Sequence, residues 1–228
     1  MEKIVGIIVG AGKSKRFGND KLLENLEGKP IIYYSINTLG KIAEIDEIIL
    51  VAREENIPWL EEKLIEWDFN KVSMIVAGGE ERQESVYNGL KSINGLCEFV
   101  LIHDAARPLV SSEKVKGLIN FCIKNRVGGV LGTPVKDTIK LVDEHKKIKS
   151  TLERNKLWSI RTPQMFPYSW IIEAHERARR DNFLGTDDAV LLERLGYSVY
   201  IVEDDFFNIK LTTKEDLLWM EWWLQKSE

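Results

Sequence analysis

Apolar residues along this chain gather into short runs, and between the runs apolar positions recur at helical spacing. Five runs rich in Ile, Val and Leu have the length of buried strands. They are residues 3–9, 45–52, 72–77, 98–102 and 129–133. Helical spacing is found between them at residues 30–41, 55–67 and 111–126. This repetition predicts an α/β fold with a Rossmann-like, mostly parallel sheet that is flanked by helices and joined by right-handed crossovers.

The pattern changes after residue 133. Residues 135–152 alternate between apolar and polar positions on either side of a charged turn at residues 143–147, which predicts a long β-hairpin. So polar a hairpin has little to bury within its own domain. We therefore expect this arm, about residues 135–156, to protrude and to form a homodimer with a partner subunit. The later predicted elements are helices at 167–181 and 187–195, strands at 198–202 and 208–213, and a final helix from residue 214.

The composition narrows the class of protein. The chain has 228 residues, of which 44% are hydrophobic, and we expect a single domain spanning residues 1–228. A net charge of −4 leaves no basic footprint, so we expect no nucleic-acid partner. Since there is neither a signal peptide nor an apolar run of membrane-spanning length, we expect a cytoplasmic protein that binds no membrane. Cys97 and Cys122 are predicted to be reduced core residues without zinc, and His175 to lie on a charged helix face.

The loop after the first predicted strand carries the most distinctive sequence. Residues 10–21, which we call the first glycine loop, read GAGKSKRFGNDK. A dinucleotide fingerprint needs a third glycine where Lys15 stands, and the spacing of a Walker A loop is not met. What remains is a glycine turn followed by the cations Lys13, Lys15, Arg16 and Lys21. Free backbone amides together with fixed cations favour the binding of a polyphosphate.

Two further motifs follow predicted strands, where ligands of open α/β sheets bind. Residues 78–86, the second glycine loop, read GGEERQESV, and the two adjacent glycines indicate that something approaches the backbone closely. The acids of this loop also suit a helix N-terminus. Residues 103–108 read HDAARP. Asp104 is placed to hold Mg²⁺ together with substrate phosphates, although it could instead cap the turn or pair with Arg107.

Taken together, these motifs resemble the 2-C-methyl-D-erythritol 4-phosphate cytidylyltransferases of the non-mevalonate isoprenoid pathway. The matching segments are residues 12–21, 78–86, 103–108, 134–138, 154–155, 162–164 and 208–210. The resemblance implies transfer of CMP from CTP to 2-C-methyl-D-erythritol 4-phosphate, which gives 4-diphosphocytidyl-2-C-methyl-D-erythritol and pyrophosphate. It also implies a cytoplasmic homodimer that uses Mg²⁺ or another divalent cation.

The resemblance implies a role for each matching residue. The catalytic cations would be Arg16, Lys21 and Lys210. CTP would be bound by Gly10, Ala11, Gly12, Gly79, Glu80, Ser85 and Ala105, with Gly79, Glu80 and Ser85 reading the cytosine. The polyol phosphate acceptor would be bound by Asp104, Arg107, Thr138, Arg154, Thr162 and Thr186. Asp104 would also be the metal ligand, and Thr138 and Arg154 would lie on the hairpin that crosses to the other subunit.

Three alternatives stay open at this stage. A ribitol 5-phosphate cytidylyltransferase would share the CTP half of the site. A CTP-binding module without transfer activity is favoured by the setting of Lys21, which stands between Asp20 and Leu22 where the family usually has Pro and Gln. A nicotinamide-dependent oxidoreductase is disfavoured by Lys15 at the third glycine position.

Overall fold

A computed structural model describes residues 2–12 and 21–227 of the chain. The strands in these segments are β1 (Ile4–Val9), β2 (Asn25–Leu26), β3 (Lys29–Pro30), β4 (Glu47–Ala52), β5 (Val72–Ala77), β6 (Phe99–Asp104), β7 (Gly128–Pro134), β8 (Lys140–Val142), β9 (Ile148–Thr151), β10 (Trp158–Pro167) and β11 (Val199–Glu203). The helices are α1 (Ile31–Gly40), α2 (Ile57–Glu66), α3 (Arg82–Lys91), α4 (Ser112–Asn125), α5 (Tyr168–Arg180), α6 (Ala189–Arg194) and α7 (Lys214–Ser227). Short 3₁₀ turns occur at Glu54–Asn56 and Arg154–Lys156.

Within the described residues, seven strands form one central sheet in the order β11-β7-β10-β6-β1-β4-β5. Strand β1 lies between β4 and β6 and is parallel to both, and β5 and β11 pair in parallel with β4 and β7. Only β10 among these strands runs antiparallel to its neighbours, between β6 and β7. The predicted mostly parallel sheet is therefore confirmed.

Strand β10 is the strand of the central sheet that the sequence pattern did not predict. It contains Pro163 and ends at Pro167, and its register with β7 shifts between Ile160 and Gln164. Because proline cannot donate to a strand ladder, its presence argues against a central strand when only the sequence is read. The irregular register accommodates the proline, and the strand still occupies the centre of the sheet.

The core covers both faces of the sheet. All six residues of β1 are buried, and they alternate between the faces: Ile4 and Ile8 pack on the side of α1, α4 and α7, while Val5 and Ile7 pack on the side of α3, α5 and α6. Burying a side chain of this size contributes about 1.5–3 kcal/mol. A strand covered on both faces explains the continuous apolar run that the sequence shows there.

The predicted hairpin forms a separate two-stranded sheet from β8 and β9. Every residue of these two strands is exposed, including the apolar Leu141, Val142 and Ile148. The arm therefore makes little contribution to the core of its own chain. Among the helices of the described segments, none combines the length and the apolar character that crossing a bilayer requires.

The short strand predicted at residues 208–213 is wrong, because these residues form an irregular segment that leads into α7. Leu211 donates its amide to the carbonyl of Ala106 at 2.8 Å. Asn208 is held by its side chain, whose amide group donates to the carbonyl oxygen of Thr162 at 2.9 Å and to Asp204 at 2.7 Å. Side-chain contacts thus replace a strand ladder and bring Lys210 beside the end of β6.

The predicted start of the final helix is confirmed. Asp216 Oδ2 accepts hydrogen bonds from the amides of Thr212 and Thr213, both at 2.8 Å, and from the Thr212 hydroxyl at 2.6 Å. The amide of Asp216 in turn donates to Thr213 Oγ1 at 3.4 Å. This reciprocal arrangement satisfies backbone donors that the first turn of a helix leaves without an intrahelical partner.

We expect Asp216→Ala to lower the free energy of unfolding by about 1 kcal/mol, because it removes the cap of α7. Urea denaturation of the purified protein measures this change. Glu61→Ala, which removes a carboxylate from the exposed face of α2, serves as the control and should change stability by less than about 0.5 kcal/mol. Equal stability of the two variants would contradict the capping role.

Candidate active site

Side chains from distant parts of the chain meet in one cleft beside the carboxyl ends of β1 and β6. Of the residues that the sequence singled out, those lining this cleft are Gly10, Ala11, Gly12, Lys21, Gly79, Glu80, Ser85, Asp104 and Lys210. The parallel strands β1 and β6 end at the same edge of the sheet, which brings their following loops together. Arg16 belongs to residues 13–20, which lie outside the described residues.

The two glycine loops touch each other at this edge. A Cβ atom at Gly78 would lie 2.1 Å from the Ala11 Cβ, and one at Gly79 would lie 2.2 Å from the Glu84 Cγ. The close approach predicted for the adjacent glycines is therefore present, and the approaching groups belong to the protein. Gly10 donates its amide to the carbonyl of Val51 at 2.7 Å, so this amide shapes the loop instead of facing an anion.

The start of α3 is organised by side chains of the second glycine loop. Ser85 Oγ accepts from the amide of Gly79 at 3.1 Å and donates to the carbonyl of Glu81 at 3.1 Å. Glu84 Oε2 accepts from the amide of Glu80 at 2.9 Å. Glu84, in the first turn of α3, thus holds the turn that precedes the helix, where the helix dipole favours an acid. The Glu80 side chain remains exposed at the wall of the cleft.

Asp104, the last residue of β6, is the central charge of the cleft. Its side chain is only 8% exposed; Oδ1 accepts from Arg82 Nε at 2.9 Å and Oδ2 from Lys210 Nζ at 2.5 Å. Burial by itself would raise the pKa of Asp104, but the charges of Arg82 and Lys210 outweigh it and hold that pKa well below its usual range. The carboxylate is therefore ionised at neutral pH.

Arg82 is a functional residue that the sequence analysis did not assign. Besides its bond to Asp104, its Nη1 donates to Asp188 Oδ2 at 2.8 Å, and Asp188 Oδ1 lies 3.2 Å from His175 Nε2. Burial lowers the pKa of Arg82, yet the carboxylates of Asp188 and Asp104 raise it above its usual value. One sequence signal could have identified it: Arg82 is the first residue of α3, where the helix dipole disfavours a cation unless a carboxylate compensates.

The placement predicted for His175 is wrong. Its side chain is fully buried, because α5 turns this face towards the interior and not towards solvent. Burial alone would raise the pKa of its partner Asp188, but the charge of Arg82 and the hydrogen bond from His175 lower it below the usual value. Asp188 is itself only 1% exposed. An ionised carboxylate is thus held in the interior behind Arg82.

A second series of hydrogen bonds holds the backbone of Asp104. The amide of Asp104 donates to Thr162 Oγ1 at 3.0 Å, and that oxygen lies 3.2 Å from His103 Nδ1. His103 Nε2 lies 3.2 Å from the carbonyl of Arg107, which can only accept, so Nε2 carries the proton. Burial lowers the pKa of His103 to about 4. This histidine is therefore neutral and positions its neighbours.

The structure places three more of the predicted site residues, Lys21, Arg107 and Ala105, in different surroundings. Lys21 Nζ donates to the carbonyl of Leu211 at 2.8 Å, which places this lysine next to the segment that carries Lys210. Arg107 Nη1 donates to the carbonyl of Asn208 at 2.8 Å, and burial lowers the pKa of Arg107 to about 10. Ala105 is fully buried in the core, and its neighbour Ala106 lines the cleft instead.

The other predicted acceptor residues are not gathered in this cleft. Thr162 is buried beside the backbone of Asp104, whereas Thr138, Arg154 and Thr186 are exposed. Arg154 Nη1 donates to the carbonyl of Lys136 at 2.8 Å, within the hairpin arm. In the described parts of this chain, none of these three exposed side chains lines the cleft.

The oxygen ligands that the chain offers at Asp104 suit a magnesium ion only when a substrate supplies further ligands. Residues 2–12 and 21–227 contain no group of three or more His, Cys, Asp or Glu side chains that could hold a metal ion. Mg²⁺ is commonly held by one or two carboxylates while phosphate oxygens and water complete its coordination. Each carboxylate oxygen of Asp104 accepts one hydrogen bond, so each keeps accepting capacity.

The family model, the relatives and the solved structure to which this chain is similar indicate the same family. The family model described as 2-C-methyl-D-erythritol 4-phosphate cytidylyltransferase matches residues 4–226. A protein of that name from Dictyoglomus thermophilum is 60% identical over 229 residues, covering 100% of this chain and 99% of that protein, and one from Caldanaerobacter subterraneus is 45% identical over 226 residues, covering 98% and 99%. The solved 4-diphosphocytidyl-2C-methyl-D-erythritol synthase of Anaerococcus prevotii superposes with a TM-score of 0.88 at 30% identity, covering 98% of this chain and 96% of that one.

We expect Gly78→Ala to destabilise the protein by about 1–3 kcal/mol, because its Cβ would overlap Ala11 and push the two glycine loops apart. Gly117→Ala is a matched control, since nothing lies within 4 Å of its added Cβ and α4 gains a better helix former. Chemical denaturation of both variants checks the prediction. If Gly78→Ala were as stable as the control, the loops would not be in contact.

Proposed function

The chain belongs to the 2-C-methyl-D-erythritol 4-phosphate cytidylyltransferase family, and from this premise we propose how the residues of its cleft perform that reaction. The enzyme is a nucleotidyltransferase that transfers CMP from CTP to 2-C-methyl-D-erythritol 4-phosphate and releases pyrophosphate. The observation that carries this conclusion is the 60% identity to a relative of that name over the full chain.

The reaction needs charge stabilisation more than proton transfer. The attacking group is a phosphate oxygen of the acceptor, which is already anionic at neutral pH. The barrier lies in bringing two anions together and in stabilising the charge that develops on the α-phosphorus and on the leaving pyrophosphate. A cleft lined by fixed cations suits this task, and the neutral, buried His103 is not needed as a base.

We assign Lys21 and Lys210 to the transition state. Lys210 Nζ is 37% exposed as a side chain and faces both Asp104 and the cleft, so it can exchange Asp104 for a phosphate oxygen. Lys21 and the amides of Ala11 and Gly12 face the triphosphate, and Arg16 acts with them. Glu80, Gly79 and Ser85 form the cytosine end. A divalent cation on Asp104 would supply further positive charge to the phosphates.

Acceptor binding by Thr138 and Arg154 requires a second copy of the chain. The hairpin arm, about residues 135–156, exposes apolar residues on both strands and does not reach its own cleft. A twofold dimer would cover these residues and bring each arm to the cleft of the other subunit. Arg107, Thr162 and Thr186 belong to the acceptor end from within the same chain.

Two further assignments, the number of domains and the location of the protein, complete the proposal. One sheet carries the core on both of its faces, which supports a single domain over residues 1–228. A cytoplasmic location is proposed from the resemblance to the family.

Pyrophosphate release in the presence of CTP and Mg²⁺ tests the function. We expect release when 2-C-methyl-D-erythritol 4-phosphate is added, and background release with ribitol 5-phosphate or without an acceptor. Release with ribitol 5-phosphate alone would keep the CTP site and overturn the acceptor. Binding of CTP without release from either acceptor would indicate a binding module.

We expect Lys21→Ala and Lys210→Ala each to lower kcat by roughly a hundredfold, because each removes a fixed positive charge from the transition state. Steady-state kinetics at saturating CTP and acceptor measure this loss, and circular dichroism verifies the fold. Lys214→Ala, on the exposed first turn of α7, is the control and should keep the kcat of the unmodified enzyme. A Lys210→Ala enzyme with normal kcat would refute its catalytic role.

We expect Arg154→Ala to raise the KM for the acceptor phosphate by about tenfold or more, while the KM for CTP changes little, since the lost contact is made to the acceptor alone. Initial rates with each substrate varied in turn separate the two constants. Lys156→Ala removes a neighbouring exposed cation that pairs with Glu153 and should leave both constants unchanged. An effect confined to the KM for CTP would show that the hairpin does not serve the acceptor.

A further inference from the structure

Asp188 stands behind the cleft and is connected to it through one arginine. The carboxylate is 1% exposed and does not line the cleft. Its Oδ2 accepts from Arg82 Nη1 at 2.8 Å, while Arg82 Nε donates to Asp104 Oδ1 at 2.9 Å. Asp188 Oδ1 lies 3.2 Å from His175 Nε2, which approaches it from α5. A continuous line of charged and polar groups therefore runs from the interior to Asp104.

Stability alone does not account for this line. Replacing a buried ion pair by apolar residues of similar size is often neutral or stabilising, because charges lose hydration when they are buried. In addition, Arg82 Nη2 and His175 Nδ1 are buried without a hydrogen-bond partner in the described part of the chain. Leaving a buried polar atom without a partner is unfavourable for folding. Folding stability is therefore a weak explanation for this line, and its position directly behind the cleft directs attention to the site.

Arg82 bonds Asp104 and Asp188 through different nitrogens of its guanidinium group. An arginine that faces one carboxylate commonly donates two parallel N–H bonds to it. Here Arg82 bonds Asp104 through Nε and Asp188 through Nη1, while its Nη2 has no hydrogen-bond partner in the described part of the chain. Asp104 Oδ2 is left to Lys210, at the side that faces the cleft. The two oxygens of Asp104 are thus bonded to two different cations, and Asp188 holds Arg82 in the orientation that bonds only one of them.

We propose that Asp188, held by His175, is a positioning residue for CMP transfer: it orients Arg82 so that Asp104 keeps one oxygen directed at Lys210 and the phosphates. This inference rests on the proposed function of the cleft. Without the anchor, Arg82 turns to take both oxygens of Asp104, and the geometry in which Lys210 and the metal-binding oxygen face the phosphates is lost. Asp188 acts on turnover through Arg82 and makes no contact with CTP.

The test combines two substitutions in a double-mutant cycle. Asp188→Asn, Arg82→Gln and the double variant are assayed for pyrophosphate release with Mg²⁺, CTP and 2-C-methyl-D-erythritol 4-phosphate, and their melting temperatures are recorded. We expect Asp188→Asn to lower kcat by about tenfold or more with less than about a threefold change in the KM for CTP. The double variant should be no slower than Arg82→Gln, because both changes remove one linkage.

Asp181→Asn is the matched control. Asp181 also accepts from two arginines, Arg177 at 3.2 Å and Arg194 at 3.3 Å, but it is one-third exposed and does not line the cleft. The kcat of the Asp181→Asn enzyme should equal that of the unmodified enzyme. A normal kcat for Asp188→Asn would overturn the proposal, and so would losses that multiply in the double variant, since these indicate an independent structural effect.

A second variant covers the case in which Asp188→Asn does not fold. Arg82→Lys keeps a positive charge near Asp104 but lacks the planar group whose separate nitrogens bond Asp104 and Asp188, so we expect it to lose as much kcat as Arg82→Gln. Normal turnover by Arg82→Lys would show that the link to Asp188 is not needed and would overturn the proposal. If the unmodified enzyme releases no pyrophosphate, the proposed function fails and this inference fails with it, whereas an active enzyme with an unaffected Asp188→Asn variant refutes the inference alone.

Discussion

The structure of the cleft depends on a single electrostatic constraint, which is that the ionised carboxylate of Asp104 must be matched by cations where water has little access. A buried carboxylate without partners would take up a proton and lose its charge. Arg82 and Lys210 prevent this, although they lie 22 and 106 positions away in the sequence. The fold therefore has to bring two distant segments to the end of β6, and the rest of the site follows from how it does so.

The order of the strands provides that convergence. Because β1 pairs with both β4 and β6, the loops that follow β1 and β6 emerge side by side, and the loop after β5 reaches them through the contact between Gly78 and Ala11. The antiparallel strand β10 then brings Thr162 to the backbone of Asp104, and the irregular segment before α7 brings Lys210 to its side chain. Asp104 thus receives its partners from separate elements: Arg82 and Lys210 bond its carboxylate, and Thr162 bonds its backbone amide. The glycines are needed because the loops that carry these partners pack against each other.

Part of this arrangement could be read from the sequence, and part could not. The parallel strands are continuous apolar runs, and Asp104 and the glycine loops stand at their ends, so their placement follows from general rules of α/β sheets. Strand β10 could not be predicted, because the prolines in its sequence argue against a central strand. The roles of Lys210, Thr162 and the hairpin residues came only from resemblance to a family, since contacts across 106 or 58 positions leave no local signal. Arg82, Asp188 and His175 were missed because burial cannot be inferred for charged residues until the packing of α5 and α6 is known.

The most direct test of this account is a crystal structure of the enzyme with CTP and Mg²⁺. The quantity to measure is the separation of Lys210 Nζ and Asp104 Oδ2, which is 2.5 Å in the present structure. We expect Lys210 to move away from Asp104 and contact a phosphate oxygen, the freed carboxylate oxygen to face the metal ion, and Arg82 to keep its bonds to Asp104 and Asp188. A complex in which Lys210 remains on Asp104 while the phosphates bind elsewhere would contradict it.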